Sequence, residues 1–183
     1  YLSKINFLNP EKYFISFYDP NFDAKKSFTC EFGQRSFANS YKDVILYQRK
    51  LLVRELNKKK YLASFVKKKN QKIFYKKIKQ SILSVGTFGS GEICQRDFEA
   101  TFLGSSFTTS NMNHIETWPN IYLPEITYLP LNWDFSNIDD VLERILSNRD
   151  LYNSLVLNSQ NIIKESLGEK GKVYFLNFIK DIF

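Results

Sequence analysis

The sequence predicts an α/β fold, a Rossmann-like three-layer domain with a parallel sheet whose chain closes in a run of helices. Three observations predict it. From about Tyr41, short apolar runs of strand length alternate with helical patterns, the order expected of βαβ units. A glycine-bearing loop, Phe88-Gly89-Ser90-Gly91, follows the apolar run Ser81–Val85 and leads into a helix. From Ser136 to Phe183 the pattern is helical throughout.

Residues 1–40 show little periodicity. Within them Tyr13–Tyr18 (YFISFY) reads as a strand and Asp19-Pro20-Asn21 as a turn, while Ser27–Ser40 mixes aromatic and polar residues without a period. Lys42–Asn57 reads as a helix with Ile45, Leu52 and Leu56 near one face, and Tyr61–Val66 as a strand. Gln71–Lys79 is a short basic helix with Phe74 and Ile78 at core-facing spacing, and Ser81–Val85 is a second strand. After the glycine loop come a helix from about Ile93 to Leu103 and a strand at Ser105–Thr109. Residues 110–135 form a long connection with one extended piece, Tyr128–Asn132, and Pro130 inside it demands an edge position because it lacks a ladder N–H.

Ser136–Ser147 is a strongly amphipathic helix: Ile138, Val141, Leu142, Ile145 and Leu146 share a face, and Ser136 with Asp139 forms an S-x-x-D capping box. Asp150–Leu167 follows, with Gly168 at its C′ position. Lys172–Phe183 closes the chain, with Val173, Leu176, Ile179 and Phe183 at helical spacing. The chain therefore divides into an N-terminal connecting segment, or the first elements of the domain, at 1–40, and a Rossmann-like domain at 41–183.

The bulk numbers narrow the class. A chain of 183 residues, 43% hydrophobic and 25% charged, can bury a core and is not a disordered segment. No apolar run approaches the roughly 18 residues a membrane span needs, and no signal region opens the chain, which begins at Tyr1 and so reads as a fragment or a processed chain. Two cysteines, Cys30 and Cys94, cannot make a disulfide framework, and there is no Asn-x-Ser/Thr sequon; both features point to a reducing cytoplasm.

Charge is unevenly spread. Residues 42–79 hold 14 of the 26 Lys and Arg against Asp43 and Glu55, a local +12 in a chain of net charge +7. Such a run is either a solvated face or an attraction to anions, whether a nucleotide, an anionic membrane surface touched peripherally, or nucleic acid. Nucleic acid is the weakest of these, because Tyr47, Tyr61, Phe65, Phe74 and Tyr75 match no RNA-binding aromatic pattern.

The densest chemistry lies in 88–100, FGSGEICQRDFEA. A strand, a glycine turn and a helix N-terminus make an anion site, since free backbone N–H groups and the helix dipole point the same way. Arg96 adds a fork of donors for phosphate, and Glu99 an acceptor for sugar hydroxyls. In a parallel sheet this loop and the one after Thr109 share the carboxyl-end rim where ligands bind. That second loop carries Asn111, Asn113, His114 and Thr117. A nucleotide-sugar, phosphorylated and rich in hydroxyls, fits the set.

The stretch SILSVGTFGSGEICQRDFEATFLGSSFTTS, with its R-x-F-E-A core, resembles the C-terminal, donor-binding half of GT-B glycosyltransferases. HIETWPNIYLPEITYLPLNWDFSNIDDVLERIL resembles that family's following loop, short strand and amphipathic helix, so the likeness covers roughly 70–167, with weaker agreement in Tyr41–Val66. It implies that Arg96 meets the donor's diphosphate, that Gly89 and Gly91 let the backbone approach it, and that Glu99 binds ribose or sugar hydroxyls. It implies a nucleotide-sugar as substrate, no cofactor, no metal-dependent aspartate motif, and a glycan, lipid or protein acceptor held mostly by a preceding domain. Many retaining members carry two glutamates with seven residues between them; here Glu99 matches the second, Gly91 stands at the first, and Glu92 is one place later.

His114 and Glu92 are the candidates for acid/base chemistry, His114 as the single histidine of the chain. Asn111 and Asn113 are donor-binding candidates whose ordinary role is turn formation. Trp118 and Trp133 read as packing residues. Cys94 lies at a helix start, where a thiol pKa can fall, but nothing in the sequence orients a partner for it.

Overall fold

Five short strands make one sheet in the computed structural model, which describes residues 28–30, 41–58, 63–65, 71–88 and 91–182. They are β1 (Phe28–Cys30), β2 (Ala63–Phe65), β3 (Leu83–Val85), β4 (Ser106–Ser110) and β5 (Leu129–Leu131), in the order β2-β1-β3-β4-β5. Every pairing is parallel, with Phe28 opposite both Ala63 and Leu83, Leu83 opposite Ser106, and Thr108 opposite Leu129. The chain runs outward from β1 to β2 and then returns to β3 on the other side of β1. The strand order therefore reverses between β1 and β3, and the crevice beyond their carboxyl ends is the topological switch point where open α/β sheets bind ligands.

Among the described residues six helices accompany the sheet: α1 (Tyr41–Asn57), α2 (Gln71–Lys79), α3 (Gln95–Phe102), α4 (Ile138–Ser147), α5 (Arg149–Leu167) and α6 (Glu169–Ile182). Two apolar clusters show the layering. One packs Leu51, Leu52 and Leu56 of α1 with Leu83, Val85, Leu129 and Leu131 and with Val141, Leu142 and Ile145 of α4. The other packs Ile78 of α2 and Ala100 of α3 with Phe107, Tyr122 and Tyr128. Alternation along the strands separates the two sets, Leu83 and Val85 facing one side and Phe107 the other. The domain is a three-layer Rossmann-like α/β fold, as the alternating pattern predicts. No helix among the described residues is long and apolar enough to cross a membrane.

The α5 helix joins the layers. Tyr152, Leu155 and Val156 belong to the first cluster and Ile163 to the second. Tyr152 donates its hydroxyl to Gly104 O at 2.7 Å, and Gln160 Nε2 donates to Thr101 O at 3.0 Å. Both acceptors lie in the passage from α3 to β4, at the amino edge of the sheet. This clamp leaves the carboxyl rim to the loops.

Some expectations change. β1 falls inside the stretch Ser27–Ser40, where no period is visible; a three-residue strand is too short to display one. Tyr13–Tyr18 lies outside the described residues. Pro130 does sit in an edge strand, β5. The capping box at Ser136 and Asp139 does not form. The helix begins at Ile138, and Asn137 occupies the cap position without a capping bond. Asn137 instead donates Nδ2–H to Pro130 O at 3.0 Å and accepts from Asn132 N–H at 2.8 Å, tying the helix start to the end of β5. Gly168 ends α5 at φ −83°, not in the left-handed region, with its N–H on Glu165 O at 3.2 Å. The glycine this corner requires is Gly171, where a Cβ would stand 2.1 Å from Ser166 O.

The basic run also resolves into parts. α1 and α2 lie on opposite faces of the sheet, so Lys50 on α1 and Lys72, Lys76, Lys77 and Lys79 on α2 do not gather on one surface. At the end of α1, Arg54 and Lys58 both pair with Glu55, at 3.3 and 2.7 Å.

Candidate functional site

The loop after β3 lies directly at the switch point. Gly86 continues the ladder, its N–H donating to Thr108 O at 2.7 Å. A Cβ at Gly86 would stand 3.1 Å from Asp97 Oδ1 and 3.2 Å from Thr108 O, so the strand end needs glycine to let the α3 start pack against it. Gly91 is different: nothing lies within 4 Å of the position its Cβ would take, and the residue is exposed. Its side of the loop is open. Gly89 lies outside the described residues.

Helix α3 starts at Gln95, two residues later than the pattern suggests, so Glu92 and Ile93 belong to the loop and not to the helix. Cys94 is the cap residue, in extended conformation, and makes no side-chain cap. Its thiol donates instead to Thr87 O at 3.3 Å. The cap residue's side chain therefore leaves the first turn of α3 uncapped, with Asp97 N–H turning to Cys94 O at 3.1 Å, and a helix start of this kind favours an anion.

Two guanidiniums flank this start from opposite layers. Arg96 is in the first turn of α3 and partly exposed. Arg49 reaches over from α1 and donates Nη2–H to Phe88 O at 3.3 Å. Its neighbour Gln48 is almost fully buried and spans the rim, donating Nε2–H to Ser110 Oγ at 3.0 Å and accepting from Phe88 N–H at 3.3 Å. Burial first, and the positive charge of Arg96 second, lower the Arg49 pKa below its ordinary value. Two cations held in each other's field are a site that gains from a bound anion.

The carboxylates divide by environment. Asp97 is fully buried and receives the Tyr122 hydroxyl at Oδ2, 2.9 Å away; burial raises its pKa to about 7. Glu99 lies one turn along α3, 9% exposed, and accepts at Oε1 from Tyr75 O–H and Gln95 Nε2–H, both at 3.2 Å. Burial raises its pKa too, against the opposing pull of Tyr75 and then Arg96. Glu99 thus belongs to the α2/α3 face, opposite α1.

The structure brings the two acid/base candidates together. His114 Nε2 and Glu92 Oε1 are 3.0 Å apart, both side chains about half exposed, bridging the glycine loop and the loop after β4. Asn111 and Asn113 are exposed beside them, and Asn111 Oδ1 accepts Asn113 N–H at 2.9 Å, a local turn. Thr117 is occupied by Pro119 O and Asn120, and Trp118 packs against Tyr174 and Phe175 of α6. Trp133 is not packed away: it is 44% exposed and stacks on Tyr47. Among the described residues no cluster of three or more His, Cys, Asp or Glu could hold a metal.

Sequence reasoning missed Gln48, Arg49 and Gly86. Arg49 sits in a lysine-rich stretch and is indistinguishable there from a solvated cation. Gly86 was readable as the glycine that directly follows a strand.

No protein-family model matches the chain, and no curated protein does. Among solved structures, sucrose-phosphate synthase from Thermosynechococcus elongatus superposes with a TM-score of 0.54 at 15% identity, over 87% of this chain and 47% of that one. The chain thus spans about half the length of its structural neighbour, and likeness at this identity concerns the fold.

Proposed function

We propose that the chain is the donor-binding half of a glycosyltransferase, holding a nucleotide-sugar at the switch point for transfer to a glycan, lipid or protein acceptor. One observation carries the reading: Arg49 from one layer and Arg96 from the other converge on an uncapped helix start beside an open glycine loop. A diphosphate suits that cradle, bridging two guanidiniums while its oxygens take the α3 amides. Charge that develops on the leaving diphosphate meets the same fixed donors, which is how such a site lowers a transfer barrier.

In this reading Gly89 and Gly91 admit the phosphates, Glu99 accepts a ribose hydroxyl, and Asn111 and Asn113 offer donors to sugar hydroxyls. The His114–Glu92 pair lies at the open side, where an acceptor hydroxyl would lose its proton. The fold likeness to a sucrose-phosphate synthase and the R-x-F-E-A resemblance support the same assignment. Calorimetric titration of the chain with UDP, GDP, CDP and their sugar conjugates tests it. Selective binding that Arg96→Ala and Glu99→Ala both weaken is the expected result, and failure of every nucleotide to bind rejects it.

A second reading is favoured by one feature. Gly91 stands where many retaining enzymes carry a glutamate, and the adjacent Glu92 is engaged by His114. A domain that binds a nucleotide-sugar without turning it over fits that departure. Release of free nucleoside diphosphate from the bound donor separates the two.

A further inference from the structure

The rim carries one feature that the anion cradle does not use. Tyr47 of α1 and Trp133, two residues beyond β5, stack with ring centroids 6.2 Å apart and planes 19° from parallel, yet are 57% and 44% exposed. Stacking of this kind covers one face of each ring, so exposure of this size leaves aromatic surface open to solvent, a binding feature when it borders a ligand site.

Its place in the fold is fixed by bonds already described. Tyr47 precedes Gln48, which is anchored to Ser110 Oγ at the end of β4, and Asn111 N–H donates to Leu131 O at the end of β5, at 3.1 Å. The shelf therefore stands on the carboxyl rim beside the cradle, on the α1 side. Glu99, with Tyr75 of α2, is on the opposite side. A ligand whose phosphates lie between Arg49 and Arg96 has Glu99 of α3 on one side and Tyr47, two residues before Arg49 on α1, on the other.

We propose that Trp133, backed on one face by Tyr47, forms a carbohydrate-binding shelf on whose open face the apolar C–H face of a pyranose ring stacks, with the exposed Asn132 and Asp134 as its neighbours in the chain. The proposal rests on the donor reading for the direction in which the ligand lies. An exposed aromatic face suits a sugar, which presents C–H groups on its faces and hydroxyls at its edge.

Because Trp118 and Trp133 are the two tryptophans of the chain, Trp118→Phe leaves Trp133 as the reporting fluorophore. Maltotetraose, cellotetraose and chitotetraose are titrated to this variant, with UDP, GDP and CDP in parallel. At least one tetrasaccharide is expected to shift Trp133 emission. Calorimetry with that sugar should show about tenfold weaker binding in Trp133→Ala and in Tyr47→Ala. Affinity for a nucleoside diphosphate should be unchanged in both, and Arg96→Ala should show the converse. Emission unaltered by all three sugars overturns the shelf, whether or not a nucleotide binds; so does equal loss of sugar and nucleotide affinity in Trp133→Ala. If no nucleotide binds but a sugar moves Trp133, the donor reading fails and the shelf stands.

Discussion

Tyr122 donates its hydroxyl to Asp97 Oδ2 at 2.9 Å, and that carboxyl is completely buried in the first turn of α3, directly beneath the strand end at Gly86. Burial lifts the Asp97 pKa from 3.8 to about 7. Between those values the folded chain keeps a proton that the unfolded chain has released. The stability this carboxyl contributes is therefore fully present below about pH 4, is lost as pH rises towards 7, and is gone above it. The full span is on the order of 4 kcal/mol at 1.36 kcal/mol per pKa unit, and the raised Glu99 carboxyl adds a slope of the same sign. Urea unfolding at several pH values between 4.5 and 8 should show the decline, reduced in Asp97→Asn. An identical slope in that variant removes Asp97 as its source. Tyr122→Phe should cost about 1–3 kcal/mol by leaving a buried carboxyl short of a donor.

The glycines of the loop should separate sharply. Ala at Gly86 drives a methyl to 3.1 Å from Asp97 Oδ1 and 3.2 Å from a backbone carbonyl in the sheet, so Gly86→Ala should destabilise the chain by about 1–3 kcal/mol. Gly91→Ala meets nothing within 4 Å and should leave the melting temperature unchanged. If Gly91 admits phosphate, its alanine variant loses nucleotide affinity alone. Thermal melts of the two variants, with and without nucleotide, decide the matter.

These contrasts show what was legible in the chain. The strands β2 to β5 and the six helices of the described residues follow from apolar runs and helical spacing, because burial on one or two faces writes a period into the sequence. Pro130 announced its edge position for the same local reason. β1 was invisible: three residues paired between two neighbouring strands carry too few positions for a period. Asn137 shows another limit, since its amide serves the tie to β5 and not the helix cap, a choice made by tertiary contact. The placement of Arg96 and Glu99 on the helix that follows the glycine loop was readable from the local strand–loop–helix pattern. Arg49 acquires its meaning from a distance of 39 residues to Phe88, which no spacing rule reports.

Arg49 and Arg96 should act as a unit towards anions. Inorganic diphosphate at 100 times its Kd should raise folding stability by about 2.7 kcal/mol, read as a shift in melting temperature. Arg49→Gln and Arg96→Ala should each reduce that shift at fixed diphosphate, and the double variant should abolish it. The effect should also weaken with added salt, because a partly exposed site is screened. A diphosphate shift that survives Arg49→Gln unchanged places the anion elsewhere.

The pair His114–Glu92 bridges two loops at 3.0 Å while both side chains stay about half exposed, so its contribution to folding should be slight. Exposed ion pairs give roughly 0.2–1 kcal/mol. A double-mutant cycle with His114→Gln and Glu92→Gln should accordingly show little coupling in urea unfolding. Coupling should appear instead in turnover of a nucleotide-sugar donor by a chain supplied with its acceptor. Equal effects of the two substitutions on turnover, with no further loss in the double variant, mark a pair working as one acid/base unit. Coupling in stability and none in turnover reduces the pair to a clasp between loops, and moves the search for the base to whatever supplies the acceptor.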